Sequence, residues 1–252
     1  MNDDIEITVD TDFVATVEIC KPPNNFFSNA LISGLADVFE SLDLNDDVRI
    51  SVLCSEGKHF CAGADFSGNS KGNDTVGLYA GAVRIFRCNK PIVAAIQGAA
   101  IGGGLGLALA ADFRIAAPEA RFSANFARLG FHQGFGLSVT LPELIGPQAS
   151  KDMFFTGRRV KGEEAFKLGL CDQLVSLDKL REAALSYAKE IAISAPLAVE
   201  AIRKTLRGDL ADRVEIATLH EAKEQARLVK SDDWGEGIAA SAERRDPAFQ
   251  RK

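Results

Sequence analysis

The chain has 252 residues, and its 29 Lys and Arg against 35 Asp and Glu give a formal net charge of −6. Hydrophobic residues make up 46% and charged residues 25%, which is typical of a globular protein and excludes wholesale disorder. The acidic balance argues against general affinity for nucleic acid or for an anionic membrane, because both carry negative charge. We therefore expect neither a nucleic-acid partner nor a membrane partner.

The N-terminus and the cysteines indicate a reducing, cytoplasmic location. The first segment, MNDDIEITVD, is acidic and lacks the basic and apolar regions of a signal peptide. The most apolar stretch, Pro91 to Ala111, contains Gln97 and several glycines, so it predicts a buried strand, loop and helix rather than a bilayer span. The five cysteines show no CxxC spacing, which argues against a zinc cluster or a disulfide framework, and no metal site is expected.

In the first half of the chain, predicted strands alternate with predicted helices. Alternating side-chain polarity over Ile5–Val9 and Val14–Ile19 predicts a hairpin. Ser28 is a suitable helix N-cap, and apolar residues follow it at helical spacing. The other predicted elements are strands over Val48–Cys54, Ile92–Ile96 and Phe113–Ala116, a helix to about Arg87, a helix over Leu105–Ala111, and a loop from Gly57 to Asn73. This order predicts an α/β fold with a largely parallel, buried sheet.

From Leu137 onward, helical periodicity dominates. One short strand is predicted at about Asp172–Val175. Three amphipathic helices are then predicted, over Leu180–Ile193, Leu197–Leu206 and Leu210–Lys230. We place a boundary near Asp178, between an α/β core of residues 1–178 and a helical C-terminal region of residues 179–252.

A run of closely spaced glycines follows the strand that ends at Ile96, beginning at Gly98 and ending at Gly106. A dinucleotide fingerprint requires GxGxxG, which fails because Leu107 and Leu109 occupy the sixth positions, and a P-loop would require a Lys followed by Ser or Thr. Two interpretations remain. The glycines either expose helix N-terminal N–H groups that bind an oxyanion or phosphate, or they allow tight packing of a helix on the sheet.

Two segments together resemble one known family. The segment Phe60-Cys-Ala-Gly-Ala-Asp65 precedes the glycine-rich run Gly98-Ala-Ala-Ile-Gly-Gly-Gly-Leu. Further agreement lies in Pro91-Ile-Val-Ala-Ala-Ile, Ala111-Asp, Phe154-Phe-Thr-Gly and Ala165-Phe-Lys-Leu-Gly-Leu. The match covers nearly the whole chain, which is identified as a member of the enoyl-CoA hydratase/isomerase (crotonase) superfamily.

The resemblance implies an α/β crotonase-like spiral of ββα units with a C-terminal helical region used for trimerisation, as a homotrimer or a dimer of trimers. It implies an acyl-CoA thioester as the substrate and no separate cofactor, since coenzyme A is part of that substrate. By position, the backbone N–H groups of Ala64 and Gly103 would form the oxyanion hole, with Ala62 and Gly102 beside them. Two aligned amides stabilise the charge that collects on the thioester oxygen when an enolate forms.

The sequence departs from the hydratase pattern at both positions where the family carries a catalytic glutamate. Those positions are Gly106 and Phe126 here, and neither can transfer a proton. A member of the family may instead place an acid within the next glycine-rich stretch, where the nearest positions are Gln133 and Gly134. The addition of water therefore lacks two acid/base groups, each of which typically increases the reaction rate by roughly 10²–10⁴-fold.

His132 is the best remaining proton carrier, because an imidazole pKa near ~6.5 suits a general base. The alternatives are that it caps a helix over Gly134–Leu141 or faces solvent. Asp65 either carries charge in the pocket or caps the following helix. Phe126, with Phe122 and Phe131, either lines an apolar acyl pocket or packs in the core, and Gln133 is expected to contact the substrate. Lys21 and Lys58, with C-terminal Lys or Arg residues of a neighbouring subunit, are expected to hold the CoA phosphates. Cys61 lacks a visible partner base.

Three functions remain open at this point. The first is a hydratase or isomerase that relies on Ala64 and Gly103, with His132 or an acid brought in by folding. The second is another reaction on the same scaffold, such as decarboxylation, thioester hydrolysis or C–C bond cleavage, which needs the oxyanion hole but not the glutamate pair. The third is a non-catalytic acyl-CoA binder.

Overall fold

The computed structural model describes residues 3–65 and 75–252. The predicted loop from Gly57 to Asn73 therefore lies partly outside the described residues. The strands are β1 (Ile5–Val9), β2 (Val14–Ile19), β3 (Ile50–Ser55), β4 (Ile92–Ile96), β5 (Ala99–Ile101), β6 (Phe113–Ala116), β7 (Arg121–Ser123), β8 (Val160–Lys161) and β9 (Gln173–Leu174). The helices are α1 (Asn29–Asp43), α2 (Thr75–Arg87), α3 (Gly103–Ala110), α4 (Leu137–Thr156), α5 (Gly162–Lys167), α6 (Leu180–Ala192), α7 (Pro196–Arg207), α8 (Leu210–Leu228) and α9 (Asp232–Glu243). Short 3-10 helices lie at Asn125–Leu129 and Leu177–Lys179.

Six strands form the main sheet in the order β1-β2-β3-β4-β6-β9. The β1–β2 pair is antiparallel, and every later pair in this sheet is parallel. Every residue of β3 and β4 is buried, as expected for parallel strands that are covered on both faces. The prediction of a largely parallel, buried sheet is confirmed.

The sheet separates two apolar layers because side chains alternate along each strand. In β4, Ile92, Ala94 and Ile96 pack in the layer that contains side chains of α1, α2 and α3. Val93 and Ala95 point the other way and pack with α6. The helical region predicted from residue 179 therefore begins with a helix that covers one face of the sheet, and the boundary at residue 178 stays a prediction.

A small second sheet, in the order β5-β7-β8, positions the glycine-rich turn. Strand β5 ends at Ile101, directly before α3, and its edge binds the segment that follows β3. The Cys61 amide donates to the Ala99 carbonyl at 2.9 Å, and the Ile101 amide donates to the Cys61 carbonyl at 3.0 Å. The two segments that carry the family resemblance therefore lie side by side in the fold.

Several predicted boundaries were wrong. Helix α3 begins at Gly103 rather than Leu105, so the glycines themselves form its first turn. Helix α4 begins at Leu137, and Gly136 rather than His132 occupies its N-cap. Helix α9 was not predicted, although Ser231 caps it through a hydrogen bond from the Trp234 amide. By contrast, Ser28 caps α1 as predicted.

Strands β5, β7 and β8 were also not predicted, because two or three residues are too few to show a polarity pattern. Among the described residues, no helix combines the length and the apolar character that a membrane span requires.

Candidate active site

A cavity of about 700 Å³ lies between the small sheet, helix α2 and the C-terminal helices. The segment from Ala62 to Asp65 and the turn at Gly102 and Gly103 form one part of its wall. Aromatic side chains from distant parts of the chain form much of the rest, namely Phe27, Phe126, Phe131, Phe135 and Trp234. The cavity is therefore mostly apolar, with backbone groups exposed at one end.

The Ala64 end of the cavity is held by backbone pairing. Ala64 forms a parallel bridge with Phe27, and the Phe27 amide donates to the Gly63 carbonyl at 3.1 Å. Gly63 has a φ of +94°, in the left-handed region that favours glycine. Within residues 3–65 and 75–252, the Ala64 amide donates to no backbone carbonyl. Its N–H group is therefore available to a ligand in the cavity.

Gly103 is the first residue of α3 and supplies a second amide. The preceding Gly102 has a φ of 57° and donates from its own amide to the Ser123 carbonyl at 2.8 Å. A Cβ atom at Gly103 would lie 2.3 Å from the Phe27 ring, so only glycine fits there. The Gly103 amide has no backbone acceptor among the described residues, as expected for a helix N-terminal N–H group.

Ala64 and Gly103 thus place two amides without backbone partners on the wall of one cavity. Amides of this kind can donate to a ligand oxygen and stabilise negative charge that develops on it. Helix α3 adds the positive end of its dipole at Gly103. The apolar walls strengthen both interactions, because charge is screened less there than in water.

The neighbouring glycines have the other predicted role, which is close packing. A Cβ atom at Gly104 would lie 2.1 Å from the Cys61 carbonyl oxygen. A Cβ atom at Gly106 would lie 2.6 Å from the Cβ atom of Phe135. The packing interpretation therefore applies along α3, whereas the binding of an oxyanion at Gly102 and Gly103 stays a prediction.

Aromatic rings occupy the region where the resemblance would place carboxylates. Phe135 packs against Gly106, and its backbone φ of 61° is unusual for an aromatic residue. The Phe126 ring lies 3.6 Å from the position of a Cβ atom at Gly102. Phe126 lines the cavity as expected, with Phe131, whereas Phe122 is fully buried in the core.

Phe131 and Trp234 bring α9 against this aromatic wall. Their ring centroids lie 4.5 Å apart, and the Phe131 centroid lies 6.4 Å from that of Phe126. Such spacing is typical of favourable aromatic pairs. The C-terminal region, which was predicted to mediate assembly and to help bind the CoA phosphates, therefore also supplies part of the cavity wall.

His132, Gln133 and Lys21 are not among the residues that line the cavity. The His132 Nδ1 atom lies 2.8 Å from the Gln133 carbonyl oxygen, and the imidazole packs against His220 with ring centroids 5.7 Å apart. The Gln133 side chain donates to the Ser138 hydroxyl at 3.1 Å. The structure therefore does not place His132 or Gln133 on the cavity wall with Ala64 and Gly103, and Lys21, which was predicted to hold the CoA phosphates, lies outside this wall as well.

Ala62 and Asp65 do line the cavity. The Ala62 amide donates to the Asn24 carbonyl at 2.9 Å, so Ala62 contributes only its side chain and carbonyl to a ligand. Asp65 is exposed and is followed by residues 66–74, outside the described chain, before α2 begins at Thr75.

The nearby thiol and imidazole groups are held in neutral forms. Burial raises the pKa of the Cys61 thiol to about 11, so almost no thiolate forms at neutral pH. Burial, together with the charges of Lys58 and Arg121, lowers the pKa of His59. His59 Nδ1 lies 3.3 Å from the Ala99 amide and supports the turn into β5. The described residues contain no group of three or more His, Cys, Asp or Glu that could hold a metal ion.

Sequence reasoning missed a polar pair on the cavity wall. Tyr79 on α2 and Gln225 on α8 both line the cavity, and the Tyr79 hydroxyl donates to Gln225 Oε1 at 2.8 Å. The Gln225 Nε2 atom in turn donates to the His132 carbonyl at 2.8 Å. A signal existed, because Tyr79 lies on the apolar face of α2 and its hydroxyl needs a partner when buried.

Comparisons with known proteins agree over the whole chain. The family model described as enoyl-CoA hydratase/isomerase matches residues 10–252. A carnitinyl-CoA dehydratase of Salmonella arizonae is 33% identical over 247 residues, which cover 94% of this chain and 95% of the relative.

Solved structures give the same result. The enoyl-CoA hydratase/isomerase of Pseudoalteromonas atlantica has a TM-score of 0.88 at 29% identity, covering 98% of this chain and 100% of that chain. The enoyl-CoA hydratase of Bacillus anthracis has a TM-score of 0.78 at 28% identity, covering 99% of this chain and 100% of that chain. The similarity includes the C-terminal helices as well as the sheet, so the predicted fold class is confirmed.

Proposed function

The chain belongs to the enoyl-CoA hydratase/isomerase family, and from this premise we propose that its cavity binds an acyl-CoA thioester with the carbonyl oxygen between the Ala64 and Gly103 amides. Family membership makes the protein a crotonase-type acyl-CoA enzyme. One observation carries the assignment of the site. Both amides lie on the cavity wall, and neither has a backbone partner among the described residues.

In the proposed mechanism the two amides act when negative charge develops on the thioester oxygen. Addition at the β-carbon or removal of a proton from the α-carbon turns the thioester into an enolate, and its oxygen accepts from Ala64 and Gly103. The donors are fixed by the bridge at Phe27 and by the first turn of α3, so no reorganisation is needed. Each such donor is worth roughly 3 kcal/mol of transition-state stabilisation.

The reaction class that we propose is that of a lyase, either hydration of an enoyl thioester or dehydration of a hydroxyacyl thioester. The relative of Salmonella arizonae is named carnitinyl-CoA dehydratase, which supports this class. Neither Gly106 nor Phe126 offers a carboxylate, so proton transfer depends on another group, on water or on the substrate itself.

The packing of Phe135 on Gly106 favours a second candidate function. Decarboxylation, thioester hydrolysis and C–C bond cleavage use the oxyanion hole without the glutamate pair. A panel of acyl-CoA thioesters distinguishes the two functions, since rapid hydration of crotonyl-CoA would exclude this second group. Tight binding without turnover of any thioester would instead indicate a non-catalytic binder.

A crystal structure with acetoacetyl-CoA tests the site assignment directly. We expect the thioester oxygen within about 3 Å of both amide nitrogens. An oxygen bound elsewhere would show that Ala64 and Gly103 are not the oxyanion hole.

The CoA end of the ligand is proposed to lie near Lys21 and Lys58. Asn25 connects their two loops, because its side-chain amide donates to the carbonyls of Glu56 at 2.9 Å and His59 at 2.6 Å. Lys21 pairs with Asp4 at 3.2 Å but remains partly exposed. The phosphates in question belong to the coenzyme A part of the substrate, so we propose no separate cofactor.

A homotrimer, or a dimer of trimers, is the proposed assembly. Exposed apolar side chains on the C-terminal helices support it, including Leu197, Ile202, Leu206, Ile216 and Leu219. Light scattering after size-exclusion chromatography measures the mass directly, and a monomer at micromolar concentration would contradict the assignment.

A further inference from the structure

Tyr79 reaches the cavity wall through a space that only a glycine leaves open. Its side chain is buried, with 6% of its surface exposed, and it lines the same cavity as Ala64 and Gly103. A Cβ atom at Gly134 would lie 1.8 Å from the Tyr79 hydroxyl oxygen. The hydroxyl therefore occupies the position that any side chain at residue 134 would take.

Hydrogen bonding fixes the direction of the Tyr79 hydroxyl. The Gln225 Nε2 atom donates to the His132 carbonyl, which can only accept, so Gln225 Oε1 is the atom that faces Tyr79. The tyrosine O–H therefore donates to Gln225, and because the Phe135 backbone also hydrogen-bonds the Tyr79 oxygen, one lone pair of that oxygen remains as an acceptor. Gln225 is itself only 3% exposed, so packing holds this arrangement in place.

Other polar side chains on the cavity wall are more exposed. Asp65, Thr75, Asn125 and Ser241 are half-buried or exposed, whereas Tyr79 and Gln225 are buried. Burial and the nearby charge of Glu221 raise the pKa of Tyr79, which keeps its hydroxyl neutral near pH 7. The Tyr79 hydroxyl is neutral and its proton is already bonded to Gln225, so its oxygen can bind only ligand groups that donate a hydrogen bond.

We propose that the Tyr79 hydroxyl determines specificity by accepting a hydrogen bond from a hydroxyl group on the acyl chain of the substrate. The proposal rests on the proposed function, since it requires the acyl chain to lie in this cavity. It assigns to α2 and α8 a role in substrate selection that is separate from the amides of Ala64 and Gly103. The substrate class that fits is a hydroxyacyl-CoA rather than a saturated, unsubstituted acyl-CoA.

The test compares two inert ligands, S-(3-hydroxybutyl)-CoA and S-butyl-CoA, by isothermal titration. Both are thioethers without a carbonyl group, so neither can react during the measurement. In Tyr79→Phe the ring stays but the acceptor is lost, and we expect the affinity for the hydroxylated ligand to fall about fivefold. Affinity for S-butyl-CoA should stay within about twofold, because that ligand makes no such hydrogen bond.

Tyr187→Phe is the matched control, because it makes the same chemical change away from the cavity. Tyr187 packs edge-to-face against Phe113 with ring centroids 5.1 Å apart and is not a lining residue. In Tyr187→Phe, the ratio of the affinity for S-(3-hydroxybutyl)-CoA to the affinity for S-butyl-CoA should equal the ratio in the wild type. A structural role of Tyr79 would lower both affinities together, so an unchanged ratio in Tyr79→Phe would overturn the proposal.

A crystal structure of the wild type with S-(3-hydroxybutyl)-CoA gives a second measurement that does not depend on a variant. We expect the ligand hydroxyl within about 3 Å of the Tyr79 oxygen, and a hydroxyl bound elsewhere would also overturn the proposal. Failure of the proposed function is recognised separately, because acetoacetyl-CoA would then not place its oxygen between the Ala64 and Gly103 amides.

Discussion

Two regions of the cavity wall differ in the groups that they present: the amide end carries backbone N–H groups, and the side-chain end carries side chains. The amides of Ala64 and Gly103 are positioned by strand pairing and by the first turn of α3. The side-chain end is formed by Tyr79, Phe135 and Gln225, which come from α2, the loop before α4, and α8. The first end depends on backbone geometry, whereas the second depends on which side chains are present.

This difference separates chemistry from selection. Under the proposed function, the two amides stabilise an enolate oxygen whatever acyl group is attached to it. The proposed role of the side-chain end is to select the acyl group by its fit and its hydrogen bonds. Substitutions at the two ends should therefore affect different measurements, and the following predictions test that separation in order of decreasing effect.

Ala64→Pro should have the largest effect, because it removes one N–H donor from the amide end. We expect kcat to fall roughly 10²–10³-fold on the best substrate. Ala64→Gly keeps the N–H group and is the matched control, which should retain most activity. Equal losses in the two variants would show that the Ala64 amide does not act on the reacting oxygen.

Gly106→Ala should destabilise the side-chain end by overpacking against Phe135. The new Cβ atom would lie 2.6 Å from that of Phe135, and we expect the free energy of unfolding to fall by about 1–3 kcal/mol. Denaturant unfolding measures this change. In a Phe135→Gly background the same substitution should cost much less, whereas an equal cost in both backgrounds would contradict the packing argument.

Glu221→Gln should weaken the loop beside the aromatic wall. The Glu221 carboxylate accepts from the Gly136 amide at 2.9 Å and from the Ser138 amide at 3.0 Å, and an amide side chain cannot replace both contacts. We expect a loss of ~1–2 kcal/mol in the free energy of unfolding.

The pH dependence of that loss follows from the direction of the pKa shift. Burial raises the pKa of Glu221 above the ordinary value for a glutamate, so the folded state binds the proton more tightly than the unfolded state. The stabilisation that comes from this tighter proton binding is complete at pH values below the pKa of Glu221 in the unfolded state. It is lost as pH rises through the pKa of Glu221 in the folded state. The stability difference between wild type and variant should therefore be larger at low pH than at pH 7, and the opposite trend would contradict the assigned direction.

The last prediction concerns the amide end and is tested by the rate at which its cysteine reacts with a thiol reagent. Cys61 lies within the Phe60–Asp65 segment, and burial raises its pKa to about 11, whereas Cys20 is the least buried cysteine. In the native protein at pH 8, Ellman's reagent should modify Cys20 first and leave Cys61 unmodified until unfolding. Rapid labelling of Cys61 would show that this segment opens, which would weaken the argument for fixed amides.

The amide end could be predicted from the sequence because its information is local. Phe60–Asp65 and the run from Gly98 to Gly106 are short motifs, and the strands before them show clear apolar patterns. Their proximity follows from the order of parallel strands in the sheet. The resemblance then assigned Ala64 and Gly103 by position, an assignment that stays a prediction until a ligand is seen.

The other end could not be predicted, because its contacts join residues that are far apart in the sequence. Tyr79 and Gln225 are separated by 146 positions, and no local pattern shows that they meet. His132 was expected near the acyl end from its place in the chain, but its backbone carbonyl, rather than its imidazole, takes part in the Tyr79–Gln225 network. Helix α9 was missed because it is short and contains Gly235 and Gly237, which weaken the helical signal.

The packing of Phe135 on Gly106 also has a consequence for protein design. A glutamate at residue 106 would collide with Phe135, and loss of the Phe135 ring alone would leave an apolar void beside α3. Either substitution made alone therefore lowers stability. Installing a carboxylate at residue 106 requires that residues 106 and 135 be changed together.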